Sequence, residues 1–301
     1  MKIEFLTLSE GTRLQYSIRG EGQPILVLHG GHSNCTEEFG YQALLDAGYS
    51  LITPSRPGYG ETSRELGESL RTACQAYEEL LRHLQIKKLH VIAVSAGGPS
   101  GIFFASQYPQ RICTLTLQSA VTGPWLTSKD KEYKAAKILF RPGVEAYVWK
   151  LLASVTDRFP RYMFKQMASS FTKLPWREVE SYLLPEDLEA FRAMNRRQRS
   201  GHGFMIDLVH PGQIEIQHLQ NVTCPVLIMH SRQDGTVPLE HAHRASKHMP
   251  NAQLCLLDTW GHLIWLGKGS EQVNQELLSF LSQWDKNTNE SETSVPLSRI
   301  D

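Results

Sequence analysis

Two segments in which apolar and polar residues alternate open the chain, Lys2 to Leu8 and Thr12 to Arg19, separated by Ser9-Glu10-Gly11. Period-two alternation on both sides of a glycine-containing turn predicts an antiparallel hairpin. The pattern then changes. Ile25-Leu26-Val27-Leu28, Tyr49 to Thr53, Leu89 to Val94 and Ile112 to Leu117 are short, largely apolar runs. Strands buried on both faces read this way, and they belong to parallel sheets whose crossovers are helices. Ser69 stands at a helix N-cap position, with Leu70, Ala73, Cys74, Tyr77, Leu80, Leu81 and Leu84 on one face of the helix that follows. A second helix is expected from about Gly97 to Gln107. The same alternation of elements returns late, with strands at Pro225 to Met229 and Gln253 to Leu257 and helices at Leu239 to His248 and Ser270 to Trp284.

Between roughly Val121 and Gln217 the strand pattern vanishes. Helical spacing takes over, rich in aromatic residues and broken at Pro142, Pro160, Pro175 and Pro185. The expected organisation is an α/β core of residues 1–120 and 218–284, a helical insertion of residues 121–217, and a polar, aperiodic tail of residues 285–301 without stable structure. The fold class is α/β: a mostly parallel, doubly wound sheet with antiparallel N-terminal strands.

Composition narrows the function. The chain has 301 residues, 41% of them hydrophobic, with 31 basic and 31 acidic side chains. That hydrophobicity excludes general disorder, and a formal charge of zero gives no surplus of cations for a nucleic acid backbone. No apolar run approaches the roughly 20 residues of a membrane span. Met1-Lys2-Ile3-Glu4-Phe5 carries an acid where a signal peptide builds its apolar stretch. Cys35, Cys74, Cys113, Cys224 and Cys255 are scattered with no C-x-x-C pair, as reduced thiols in a cytoplasmic protein would be. His241-Ala242-His243 lies in an expected helix, where residues two apart do not share a face, so no metal is expected. Neither a dinucleotide fingerprint nor a phosphate loop is present, and no cofactor is expected. The expected partner is a small-molecule substrate; oligomeric state is not readable.

Four short segments carry chemistry. In Ala93-Val94-Ser95-Ala96-Gly97-Gly98 a serine sits where an apolar strand stops and a helix begins, flanked by small residues. Such a turn is tight, and only small neighbours leave its hydroxyl exposed at the sheet edge. The Ala96 amide, at a helix start, would face an anion forming there. His29-Gly30-Gly31-His32 also follows a strand, and its glycines let the Gly31 amide turn toward the serine. His29 reads as structural; His32 is either pocket-lining or solvated. Asp234, in Arg232-Gln233-Asp234-Gly235, and His262, in Trp260-Gly261-His262, follow later strands on the same rim. Together they describe a nucleophile (Ser95), a base (His262) and an orienting acid (Asp234). Asp258 is the weaker candidate for the acid. Arg192, Arg196, Arg197 and Arg199 form a basic cluster that reads as a solvated helix end.

These residues resemble the α/β-hydrolase superfamily: a strand-ending His29-Gly30-Gly31, the loop Arg56-Pro57-Gly58-Tyr59-Gly60, the elbow at Ser95, Asp234 before Val237-Pro238, and Gly261-His262. The likeness covers residues 1–284, with residues 121–217 at the place where such enzymes carry a variable cap. It implies a Ser95, Asp234 and His262 triad, an oxyanion hole from the Gly31 and Ala96 amides, and a serine hydrolase acting on a small ester or related acyl compound. The same residues would serve an aminopeptidase, a C–C bond hydrolase or a receptor with slow or no turnover. In one departure, the glycine that usually precedes the nucleophile by two positions is Ala93 here.

Overall fold

The computed structural model describes residues 1–8, 11–126 and 129–289. The opening hairpin pairs β1 (Lys2–Thr7) with β2 (Arg13–Arg19); Ser9 and Glu10 of its turn lie outside the described residues. Then come β3 (Gln23–Leu28), a short helix α1 (Gln42–Asp46) and β4 (Tyr49–Pro54). Helix α2 (Leu70–His83) begins at Ser69, whose hydroxyl caps it by accepting from the Thr72 amide at 3.1 Å. β5 (Leu89–Val94), α3 (Gly98–Gln107) and β6 (Ile112–Gln118) complete the first half.

Between β6 and the next strand the regular elements among the described residues are helices. They form α4 (Lys131–Leu139), α5 (Glu145–Arg158), α6 (Pro160–Phe171), α7 (Trp176–Tyr182), α8 (Asp187–Arg197), α9 (Gly203–Asp207) and α10 (Ile216–Gln220). The sheet resumes with β7 (Val226–Ser231), α11 (Glu240–His248), β8 (Ala252–Leu257) and α12 (Ser270–Asn289). α12 runs past Trp284, so the first residues of the expected unstructured tail are helical. Asp285 accounts for this, because its carboxylate takes hydrogen bonds from buried His90, at 2.9 Å, and from Tyr49. Residues 290–301 of that tail lie outside the described residues.

The strands form one sheet in the order β1-β2-β4-β3-β5-β6-β7-β8. β2 is antiparallel to β1 and β4, and every pairing from β4 to β8 is parallel. The lack of strict alternation in the central strands now has its cause. In β5, Leu89, Val91 and Ala93 pack beneath α2 and α3, while Ile92 and Val94 face α12 on the opposite side. Strand order reverses between β3 and β5, and a crevice opens at the carboxyl ends of strands on either side of such a switch. The segments after β3 and β5 are His29 to His32 and Ser95 to Gly98.

Ala93 shapes the contact between β5 and α3. A Cβ on Gly101 would lie 2.5 Å from the Ala93 Cβ, so the helix glycine makes room for the strand methyl. Gly101→Ala is expected to destabilise the chain by about 1–2 kcal/mol net, because overpacking outweighs the gain in helix propensity. Ala93→Gly in the same chain should restore most of the loss. Urea unfolding of the single and double variants checks this, and equal losses in both would refute it.

Candidate active site

Ser95 occupies the turn between β5 and α3 with φ of +51°, a left-handed conformation rarely adopted by a residue with a Cβ. The strain is held by neighbours on both sides: the Ser95 carbonyl accepts from the Val121 amide, and Gly98 donates to the same carbonyl. The side chain is half-buried at the head of a cleft.

His262 Nε2 lies 2.9 Å from Ser95 Oγ, and His262 Nδ1 lies 2.8 Å from Asp234 Oδ2. Both His262 and Asp234 are buried, so water does not compete for these contacts. Asp234 Oδ1 is separately engaged by the amides of Thr236 and Val237, at 2.8 and 2.9 Å. Burial alone would raise the Asp234 carboxyl. The charge and hydrogen bond of His262, the neighbouring His230 and the Val237 amide outweigh burial and hold it below the ordinary carboxylate range. An ionised Asp234 keeps the proton on His262 Nδ1 and leaves Nε2 free to accept from the serine hydroxyl. Asp258, the rival acid, is 86% exposed and pairs with Arg232 instead.

The helical insertion fastens two of these loops together, which no local pattern announces. The Phe171 carbonyl, at the end of α6, accepts from both Gly235 N, at 3.0 Å, and His262 N, at 2.8 Å. Thr172 forms an isolated antiparallel bridge with Asp234, and its hydroxyl donates to the Trp260 carbonyl. A Cβ at Gly235 or Gly261 would press within 3 Å of this segment, which explains a glycine beside Asp234 and another beside His262.

On the opposite side of the serine runs His29-Gly30-Gly31-His32. A Cβ on Gly30 would stand 3.3 Å from Ser95 Cβ, and one on Gly31 3.8 Å from Ala96 Cβ, so this loop lies directly against the Ser95 turn. His29 is structural, fully buried with Nδ1 2.7 Å from the Gly30 carbonyl. His32 lines the cleft. Its ring stacks on Phe204, with centroids 4.3 Å apart, beside Phe140 and Trp149, and Nδ1 bonds Ser200 Oγ at 2.7 Å. Burial drives its imidazole down to about 4, so it is neutral near pH 7.

The cleft encloses about 770 Å³ including its open mouth. Its walls are largely apolar: Phe39 and Trp265 from the core, and Trp149, Met167, Met194 and Phe204 from the insertion. The basic cluster expected at a solvated helix end is instead matched to carboxylates: Arg192 to Glu189, Arg196 to Asp157, Arg197 to Glu37 and Arg199 to Glu145. Glu37 and Glu145 are buried, so two of these arginines form ties rather than a solvated fringe. The five cysteines are free thiols. Among the described residues no helix is long and apolar enough to cross a membrane.

A family description for the alpha/beta hydrolase fold matches residues 23–268. The chain belongs to that family. As a member it is a hydrolase, and its relatives agree. It is 58% identical over 280 residues to an uncharacterized hydrolase, YcgS, of Bacillus subtilis (strain 168), spanning 93% of this chain and 98% of the relative. It is 28% identical over 90% of its length to a 2-hydroxy-6-oxononadienedioate/2-hydroxy-6-oxononatrienedioate hydrolase of Paraburkholderia phymatum, covering 91% of that enzyme. An alpha/beta hydrolase fold protein from Nakamurella multipartita superposes with a TM-score of 0.77 at 23% identity, over 92% of this chain and 97% of that one, a likeness of fold.

Proposed function

We propose that this hydrolase cleaves a small, uncharged ester through an acyl-enzyme on Ser95. One observation carries the reading: the hydrogen-bonded line from Ser95 Oγ through His262 to a buried Asp234, standing on a strained turn at the head of an apolar cleft. Ser95 Oγ attacks the ester carbonyl while His262 Nε2 takes its proton. The amides of Gly31 and Ala96 receive the oxyanion. Collapse of the intermediate expels the alcohol, protonated by His262, and leaves the acyl group on Ser95. Water then attacks that ester with His262 again as base, releasing the acid and restoring the serine. Helices α4–α9 act as a cap, supplying much of the apolar wall that excludes bulk water.

The charge of the cleft supports an uncharged substrate. Among the described residues no lysine or arginine lines it, His32 is neutral, and the carboxylate of Glu37 is already paired with Arg197 at 2.7 Å. A carboxylate entering there would lose its water without gaining a cation. A second reading, C–C bond cleavage on the same residues, draws on the relative whose named substrates are dioates. Two carboxylates fit this wall poorly.

Intact-mass labelling with a fluorophosphonate, on wild type and Ser95→Ala side by side, tests the nucleophile. A single adduct on wild type and none on the variant is expected. A panel of p-nitrophenyl esters should then favour neutral acyl chains over equal-length chains ending in a carboxylate. Folded wild type that takes no adduct would overturn the reading in favour of a receptor.

A further inference from the structure

Arg56 is among the largest fully buried side chains of the protein, and its partner comes from the insertion. Its guanidinium meets Asp207, the last residue of α9, through two hydrogen bonds of 2.6 and 2.8 Å. A buried ion pair repays its desolvation poorly, so stability alone does not explain it. The remaining donors of Arg56 indicate another role. Nε donates to the His29 carbonyl at 2.6 Å and Nη2 to the Gly30 carbonyl at 3.1 Å.

The main chain of Arg56 reaches the same carbonyl by a second route. Its amide donates to His29 Nε2 at 2.9 Å, which places the ring proton on Nδ1. That proton is donated to the Gly30 carbonyl at 2.7 Å. Burial first, and then the charge of Arg56, hold the His29 imidazole well below its ordinary range, so it stays neutral. Tyr59 extends the network. Its hydroxyl donates to Asp207 Oδ2 at 2.5 Å and accepts from the His32 amide at 3.3 Å.

We infer that Arg56 and Asp207 form a buried latch through which the insertion sets the oxyanion loop, with Arg56 a positioning residue. The inference rests on the Ser95 reading above. A trans peptide is planar, with its N–H opposite its C=O. Holding the Gly30 carbonyl at Arg56 therefore points the Gly31 N–H the other way, toward the side where Ser95 and Ala96 lie. Two consecutive glycines have wide backbone freedom, so this peptide needs an outside restraint. Asp207 provides it indirectly, by compensating and orienting the guanidinium. Because Asp207 belongs to α9, the Gly31 donor is in place only when the insertion is docked, which couples closure over the cleft to readiness for catalysis.

The test uses the full chain with three replacements: Asp207→Asn, the double variant Arg56→Met with Asp207→Leu, and Tyr59→Phe. Active sites are titrated with fluorophosphonate so that kcat is expressed per competent serine. For the first two, kcat on a short neutral ester is expected to fall roughly 30- to 100-fold, as for a misplaced oxyanion donor. KM and the acid limb of the pH profile should not move. The inhibition constant of a trifluoromethyl ketone carrying the same acyl chain, which forms an oxyanion on Ser95, should rise by the factor that kcat falls. A merely structural role would lower the number of titratable sites and leave that constant unchanged. If neither charge variant folds, Tyr59→Phe decides, since the ring keeps its volume: a several-fold loss in kcat with a matching rise in the inhibition constant supports the latch. An unchanged inhibition constant, or kcat within about threefold of wild type in a folded charge variant, overturns it. Failure of wild type to label overturns the Ser95 reading itself, and the latch with it.

Discussion

Ser95→Ala is expected to lower kcat on a small neutral ester by about five to six orders of magnitude while leaving the unfolding transition in place. In the proposed mechanism, removing Oγ deletes the nucleophile, and what survives is the contribution of the cleft and the two amides. His262→Ala should cost a similar factor, and the double variant no more than either, because the two side chains act as one unit. Asp234→Asn is expected to cost about 10⁴-fold, for a reason visible in its contacts. Oδ1 is claimed by the Thr236 and Val237 amides, so an asparagine keeps its oxygen there and turns its NH₂ toward His262 Nδ1. The imidazole must then accept at Nδ1 and carry its proton on Nε2, facing Ser95 with a donor where a base is needed. Asp258→Asn should change kcat less than twofold, since that side chain stands in solvent beside Arg232. Steady-state kinetics with circular dichroism on each variant would check this. A near-normal Asp234→Asn beside a disabled Asp258→Asn would reassign the acid.

The parts of this arrangement that could be read from the sequence are those whose signal is local. Each of Ser95, Asp234 and His262 follows a recognisable strand, and a parallel sheet places all such positions on one rim. The strand runs also predicted burial on both faces, because residues such as Ile92 and Val91 have to be apolar together. What stayed hidden depends on pairs far apart in the chain. Arg56 and Asp207 are separated by 151 positions, and nothing near either marks it as buried. His32 was undecidable because the rings that enclose it, Phe140, Trp149 and Phe204, come from the insertion. Phe171 and Thr172 look like the ordinary end of an amphipathic helix, yet their backbone ties the Asp234 loop to the His262 loop. The extension of α12 escaped for the same reason. Lys286 onward is polar, and the anchor that continues the helix is a hydrogen bond between Asp285 and His90 of β5, 195 positions earlier in the chain.

Acidification exposes a weakness built from buried histidines. Burial pushes His32 and His241 down to about 4, and moves His29, His210 and His230 in the same direction. In the unfolded chain all five titrate near 6.5. Between pH 6.5 and about 4 the unfolded state therefore binds protons that the folded state refuses, and stability falls as pH falls. At about 1.4 kcal/mol per unit for each group, His32 and His241 together remove roughly 4 kcal/mol by pH 5, and the other three act in the same sense. Against a typical total of about 5–15 kcal/mol, the protein is expected to unfold cooperatively near pH 5, its Tm dropping by more than about 10 °C from pH 7. His241→Asn should flatten that dependence, since an amide oxygen can accept from Thr122 N in place of Nδ1 and does not titrate. Thermal unfolding across pH 7 to 4.5, with proton uptake measured by calorimetry in two buffers, decides the matter. A flat Tm down to pH 5 would show that these rings take up protons without unfolding the chain. Activity assayed in parallel then separates two causes of acid loss. Loss at the active site alone is reversible and leaves the ellipticity intact, whereas unfolding driven by several histidines is steeper and tracks the loss of ellipticity.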